Sequence, residues 1–122
     1  MTVLKIGIAT PEQYKARTLA IAQGRLTPSA DDPKIWFTSI ESLARVLSER
    51  NRALLAVIAV EKPDSLQALA DRTGRAKSNL SRTLKTMERY GLVRLERHGG
   101  RTIAPRTTAD RISVDLAFQT AA

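Results

Sequence analysis

Two short amphipathic stretches joined through a single glycine constrain the fold of this chain more than any other feature. In PDSLQALADRTG (63–74), Leu66, Leu69 and Ala70 share one helical face, Asp64 is placed to cap the helix, and Gln67 follows three residues later. Gly74 can close that helix with a positive φ. Three residues on, KSNLSRTLKTMERYGLV (77–93) carries a second stripe of Leu80, Leu84 and Met87. Lys77, Ser78, Asn79, Ser81, Arg82 and Lys85 are left on its other faces.

Short helix, tight turn and second helix is the arrangement of a helix-turn-helix. In that motif the N-terminal half of the second helix enters the DNA major groove, where asparagine can read adenine and arginine can read guanine through paired hydrogen bonds. An amphipathic helix with an ordinary solvated face would show similar residues, so the next segment matters. In Leu92–Ile103, Val93, Leu95 and Ile103 alternate with polar residues around Gly99-Gly100, the pattern of a β-hairpin. A hairpin directly after a recognition helix is a wing. This one carries Arg94, Arg97, His98 and Arg101, which can lie along phosphates or reach the minor groove.

Charge points the same way. Between Arg72 and Arg106 there are ten basic residues against two acids, which accounts for the whole formal excess of +8. A basic balance confined to one stretch points to a polyanion as partner, with a solvated face or an acidic protein partner as the other readings.

The remainder reads as supporting structure. VLKIGI (3–8) alternates like a short strand, and Thr10 and Gln13 form a capping box for a helix over 11–23 that stops at Gly24. GRLTPSADDPK (24–34) reads as an exposed linker, with Asp31 and Asp32 capping and solvating it. Trp36 and Phe37 read as core plugs. Thr38 and Glu41 suggest a capping box for a helix over 39–47, along which Ile40, Leu43, Ala44 and Leu47 follow at helical spacing. Ser48 can cap a helix over 49–61 with Leu54, Leu55 and Ile58 inward. Ile112, Val114 and Leu116 alternate as a last strand. The expected organisation is a strand–helix extension and linker (1–34), a winged helix-turn-helix (35–106), and a C-terminal strand and tail (107–122).

Other functions find little in the sequence. There is no cysteine, the single His98 cannot make a metal site alone, and no Ser–His–Asp or phosphate-loop spacing occurs. No enzyme, cofactor or metal is therefore expected. No apolar run approaches the roughly 20 residues that span a bilayer, and the start lacks the form of a signal peptide. The expectation is a protein of the cytoplasm with no membrane partner.

The order helix 49–61, helix 65–73, helix 77–90, hairpin 92–104 resembles winged-helix regulators of the MarR and ArsR type. More narrowly, WFTSIESLARVLSERNRALL, PDSLQALADRTGR, NLSRTLKTMERYGLV, Pro105 and DRISVDL resemble a small family of bacterial and archaeal transcriptional regulators. The resemblance implies double-stranded DNA as partner, homodimers and regulation of the protein's own operon. It also implies a possible antitoxin role, with a protein toxin as second partner. On the same basis Ser78, Asn79, Ser81 and Arg82 fall where such families contact DNA from the recognition helix, and Arg97 and Arg101 fall on the wing. Arg75 just before the helix joins the candidate set. Ala76 departs from the pattern, since serine or threonine commonly caps such a helix.

The fold class expected is α+β, mainly α: a winged helix-turn-helix whose N- and C-terminal strands pair, within one subunit or between two, as a dimerisation element. Helices 11–23 and 39–47 would complete the interface, and a two-fold dimer would match a palindromic operator. The competing function is a protein-interaction module that binds an acidic partner and has only non-specific DNA affinity. Asn79 discriminates the two, because base reading needs its amide and an acidic partner does not.

Overall fold

Residues 2–116 are described in a computed structural model. In chain order they form β1 (Val3–Ile8), α1 (Pro11–Ala22), β2 (Ile35–Phe37), α2 (Ile40–Val46), α3 (Glu49–Glu61) and α4 (Leu66–Thr73). Then come α5 (Lys77–Arg89), β3 (Val93–Arg97), β4 (Ile103–Thr107) and β5 (Arg111–Asp115). The class is α+β.

Hydroxyl side chains start four of these helices. Thr10, Ser39, Ser48 and Ser65 each accept a hydrogen bond from the backbone N–H three residues on, satisfying an amide that the helix itself leaves open. Two caps differ from expectation. Ser65, not Asp64, caps α4, and Asp64 instead lies 3.7 Å from Arg106. Ser39 and Ser42, not Thr38 and Glu41, form the box of α2. In both cases the residue with extended backbone immediately before the first turn takes the role. Gln67 turns to Asp71 on its own helix.

α3, α4 and α5 pack around Leu54, Ile58, Leu69, Leu80, Leu84 and Met87, all nearly inaccessible to solvent. β3 and β4 close this core as an antiparallel hairpin, with Leu92, Val93 and Ala104 buried. The hairpin runs past the expected end at 104, because Pro105 sits within β4 opposite Leu95. Arg106 holds the hairpin base to the α3–α4 connection by donating to the Pro63 carbonyl at 2.8 Å. Helices α3 to α5 followed by this hairpin make a winged helix.

The terminal strands pair within one chain, and in parallel: Leu4 opposite Ile112 and Ile6 opposite Val114. β2, which three residues are too few to announce by alternation, joins the other side of β1 and gives the order β2-β1-β5. Ile6 and Phe37 reach from this sheet into the same core as Leu54 and Leu84, and Phe37 stacks on Tyr90 at 4.2 Å. Of the four apolar residues at helical spacing along 40–47, Leu43 is buried and Leu47 half-buried, whereas Ile40 and Ala44 are exposed. The tail beyond Leu116 lies outside the described residues. Among the described residues, no helix is long and apolar enough to cross a membrane.

On the opposite face of the sheet the Trp36 ring crosses Gly7. A Cβ at position 7 would stand 2.5 Å from the ring, far inside van der Waals contact. Tyr14 meets the same ring edge-on at 5.8 Å, and the Arg17 guanidinium lies over it at 5.2 Å while pairing with Asp32 at 2.8 Å. Gly7→Ala must therefore displace a tryptophan held by α1. A loss of about 1–2 kcal/mol is expected from overpacking, to be read as a lower urea midpoint at unchanged slope.

Candidate nucleic-acid interface

The three residues that bury α5 also determine what it exposes. With Leu80, Leu84 and Met87 at 0% exposure, the helix cannot rotate without emptying the core. Ser78, Arg82, Lys85 and Arg89, at successive helical spacings, form an exposed stripe; Lys77 is exposed beside it and Ser81 is half-buried. Ala76 offers no side-chain cap to the start of this helix.

A neighbouring flank of α5, comprising Asn79, Thr83 and Thr86, is half-buried. Here the structure separates two of the expected site residues from the rest. Arg75 donates to Asn79 Oδ1 through Nη2 at 2.7 Å and Nε at 3.1 Å, to Asn51 Oδ1 of α3 at 3.1 Å, and to Thr83 Oγ1 at 3.3 Å. Asn51 in turn donates to the Val46 carbonyl at 3.0 Å. Arg75 is thus half-buried and joins α5 to α3, and the Asn79 oxygen that a bidentate adenine contact requires is occupied. Burial, and then the charge of nearby Arg50, pull the Arg75 pKa below the usual arginine value.

The wing divides similarly. Its two strands turn through Gly99 and Gly100 at φ +63 and +60, which residues with a Cβ rarely adopt. Arg94 and Glu96 share one face of β3 and pair at 2.9 Å, with His98 Nε2 3.4 Å from the same carboxylate. The Arg94 hydrogen bond holds Glu96 below the usual carboxylate range against the opposing effect of desolvation, with the His98 hydrogen bond adding to the lowering. Arg97 and Arg101 are exposed, and their side chains make no hydrogen bond or ion pair among the described residues. β3 is joined to α5 by the Leu95 N–H, which donates to Glu88 Oε2 at 3.2 Å.

The basic stretch thus separates into two groups. Arg72 pairs with Glu61, Arg94 with Glu96 and Arg106 with Asp64, while Arg75 is bound by neutral oxygens. Lys77, Arg82, Lys85, Arg97 and Arg101 have no partner among the described residues. Sequence reasoning missed Asn51 and Thr83, the residues that orient Arg75, and Arg89, which extends the exposed stripe and donates to Thr86. Helical spacing from Arg82 and Lys85 would have found Arg89. Nothing in the sequence pairs residue 51 with residue 75.

A family model, HVO_A0114, matches residues 46–114, more than half of the chain. The chain belongs to the HVO_A0114 family. The segment shared with the HVO_A0114 family runs from the last residue of α2 through α3, α4, α5 and the wing into β5, so it includes every candidate residue named above. No curated protein matches the chain. A solved structure that it resembles is described as the crystal structure of the predicted DNA-binding transcriptional regulator from E. coli. The two are 19% identical, with 78% of this chain and 84% of that one covered, at a TM-score of 0.49.

Proposed function

We propose that this protein is a sequence-specific DNA-binding transcriptional regulator, acting as a homodimeric repressor on a palindromic operator. The observation that carries this reading is the separation of charges in the basic stretch. Arg72, Arg75, Arg94 and Arg106 are internally satisfied, whereas Lys77, Arg82 and Lys85 of α5 and Arg97 and Arg101 of the wing have no side-chain partner among the described residues. Unpaired Arg82 and Lys85, flanked by the small hydroxyls of Ser78 and Ser81, suit a major-groove surface in which Arg82 reads guanine. Arg97 and Arg101 suit backbone or minor-groove contact. Regulation of its own operon is what the resemblance to a small family of bacterial and archaeal transcriptional regulators implies.

One observation favours a second reading, in which the same face binds an acidic protein partner such as a cognate toxin. With Asn79 Oδ1 held by Arg75, the exposed surface offers mainly cations and hydroxyls, which an acidic surface would also satisfy. Two substitutions separate the readings. Arg82→Ala is expected to lose about 1–3 kcal/mol of discrimination between operator and scrambled duplex, whereas Arg101→Ala weakens binding to both alike. Fluorescence anisotropy on the two duplexes measures this. Equal losses on both duplexes for Arg82→Ala would show that α5 does not read sequence.

A further inference from the structure

β5 is anomalous as the edge of a parallel sheet. Parallel sheets are ordinarily covered on both faces, yet every residue of β5 is exposed. Ile112 and Val114, with Leu116 beyond the strand, remain 37–47% accessible. Ile112 borders an open groove of about 370 Å³ along α3, whose apolar lining includes Leu4, Leu55, Ala59 and Leu92. The strand is short and ends in Arg111 and Asp115, but it carries neither a proline nor a bulge, bonding in continuous register to β1 from Arg111 to Asp115.

We propose that β5 is the seam of the dimer, pairing antiparallel with β5 of a second copy about a two-fold axis at Ser113. This rests on the dimeric part of the reading above. The backbone has the right parity. The Arg111 N–H donates inward to the Thr2 carbonyl, so residues 111, 113 and 115 point their backbone groups toward β1, and residues 112 and 114 point theirs outward. A two-fold at Ser113 sets Ile112 of each copy opposite Val114 of the other as hydrogen-bonded pairs, using those outward groups.

The side chains are self-complementary in the same register. Arg111 of each copy falls opposite Asp115 of the other, in the non-hydrogen-bonded positions where side chains approach most closely. Arg111 already has a contact within its own chain, and the five donors of a guanidinium allow both. Ile112 of each copy, at the edge of the groove, meets Val114 of the other. The result is one continuous sheet, β2-β1-β5 joined to its symmetry mate. Charge also favours a second copy as the occupant. The whole +8 of the chain lies between Arg72 and Arg106, so β5 belongs to the neutral remainder, where two such chains can meet.

A charge swap tests the seam on the full chain by sedimentation equilibrium at tens of micromolar. The wild type is expected at twice its 13.4 kDa. Arg111→Asp and Asp115→Arg should each raise the dimer dissociation constant at least tenfold, about what two cross-strand pairs changed from attraction to repulsion supply. The double swap R111D/D115R should restore the wild-type value, which a merely misfolded variant would not do. A wild type that dimerises with both single variants unchanged, or a double swap that fails to recover, overturns the seam while leaving the dimer reading intact. A monomeric wild type overturns both. DNA affinity, measured on the same samples, stands apart from either result.

Discussion

Leu84→Ala is expected to destabilise the protein by about 2–5 kcal/mol, the range for removing a fully buried leucine and leaving a cavity. Leu84 is 0% exposed and sits on α5 between Leu80 and Met87, in the core that α3, α4 and the wing share. The cost should fall near the top of the range, because the site cannot collapse easily. α5 is fixed on one side by the Arg75 contacts and on the other by the Leu95 N–H to Glu88 bond. Urea unfolding followed by far-ultraviolet circular dichroism measures the loss. A change under about 1 kcal/mol would mean that α5 is not a core helix.

The second large effect belongs to Arg75. Arg75→Ala is expected to cost on the order of 2–3 kcal/mol, since hydrogen bonds to a charged group are among the stronger ones and their half-buried acceptors lose their donor. Asn79→Ala removes the acceptor of the two bonds to Oδ1, so the two changes should not add. A double-mutant cycle should show coupling of about 1 kcal/mol or more. The same cycle read on DNA bears on specificity. If Asn79 serves only to hold Arg75, Asn79→Ala weakens operator and scrambled duplex alike, and Arg82→Ala alone lowers the preference. A preference lowered by Asn79→Ala beyond its effect on stability would show that Arg75 releases the amide when DNA is bound.

The winged helix was legible in the sequence because its signals are local. Leu80, Leu84 and Met87 at helical spacing, the left-handed Gly74, and Gly99-Gly100 between alternating strands each determine a few residues of backbone without help from elsewhere. What escaped was whatever depends on a distant partner. Helical periodicity gives the angle of Asn79 from Leu80, but not that α3 covers that flank and leaves the flank of Arg82 open. Arg75 looked like part of a basic surface because its acceptor on α3, Asn51, lies 24 residues back. Trp36 and Phe37 looked like plugs because three residues show no alternation, and the pairing of Ile35–Phe37 with β1 becomes visible only across the intervening helix. The two terminal strands were visible singly, while their parallel pairing depends on a crossover that includes the entire winged helix.

The claim that this face reads DNA is tested most directly by binding the purified protein to its own promoter fragment and to a scrambled fragment of equal length across a salt series. Affinity is expected to fall steeply with salt on both fragments, with the promoter preferred by at least about 10³-fold. Equal and weak binding to the two fragments would contradict it, leaving a basic surface that does not read sequence.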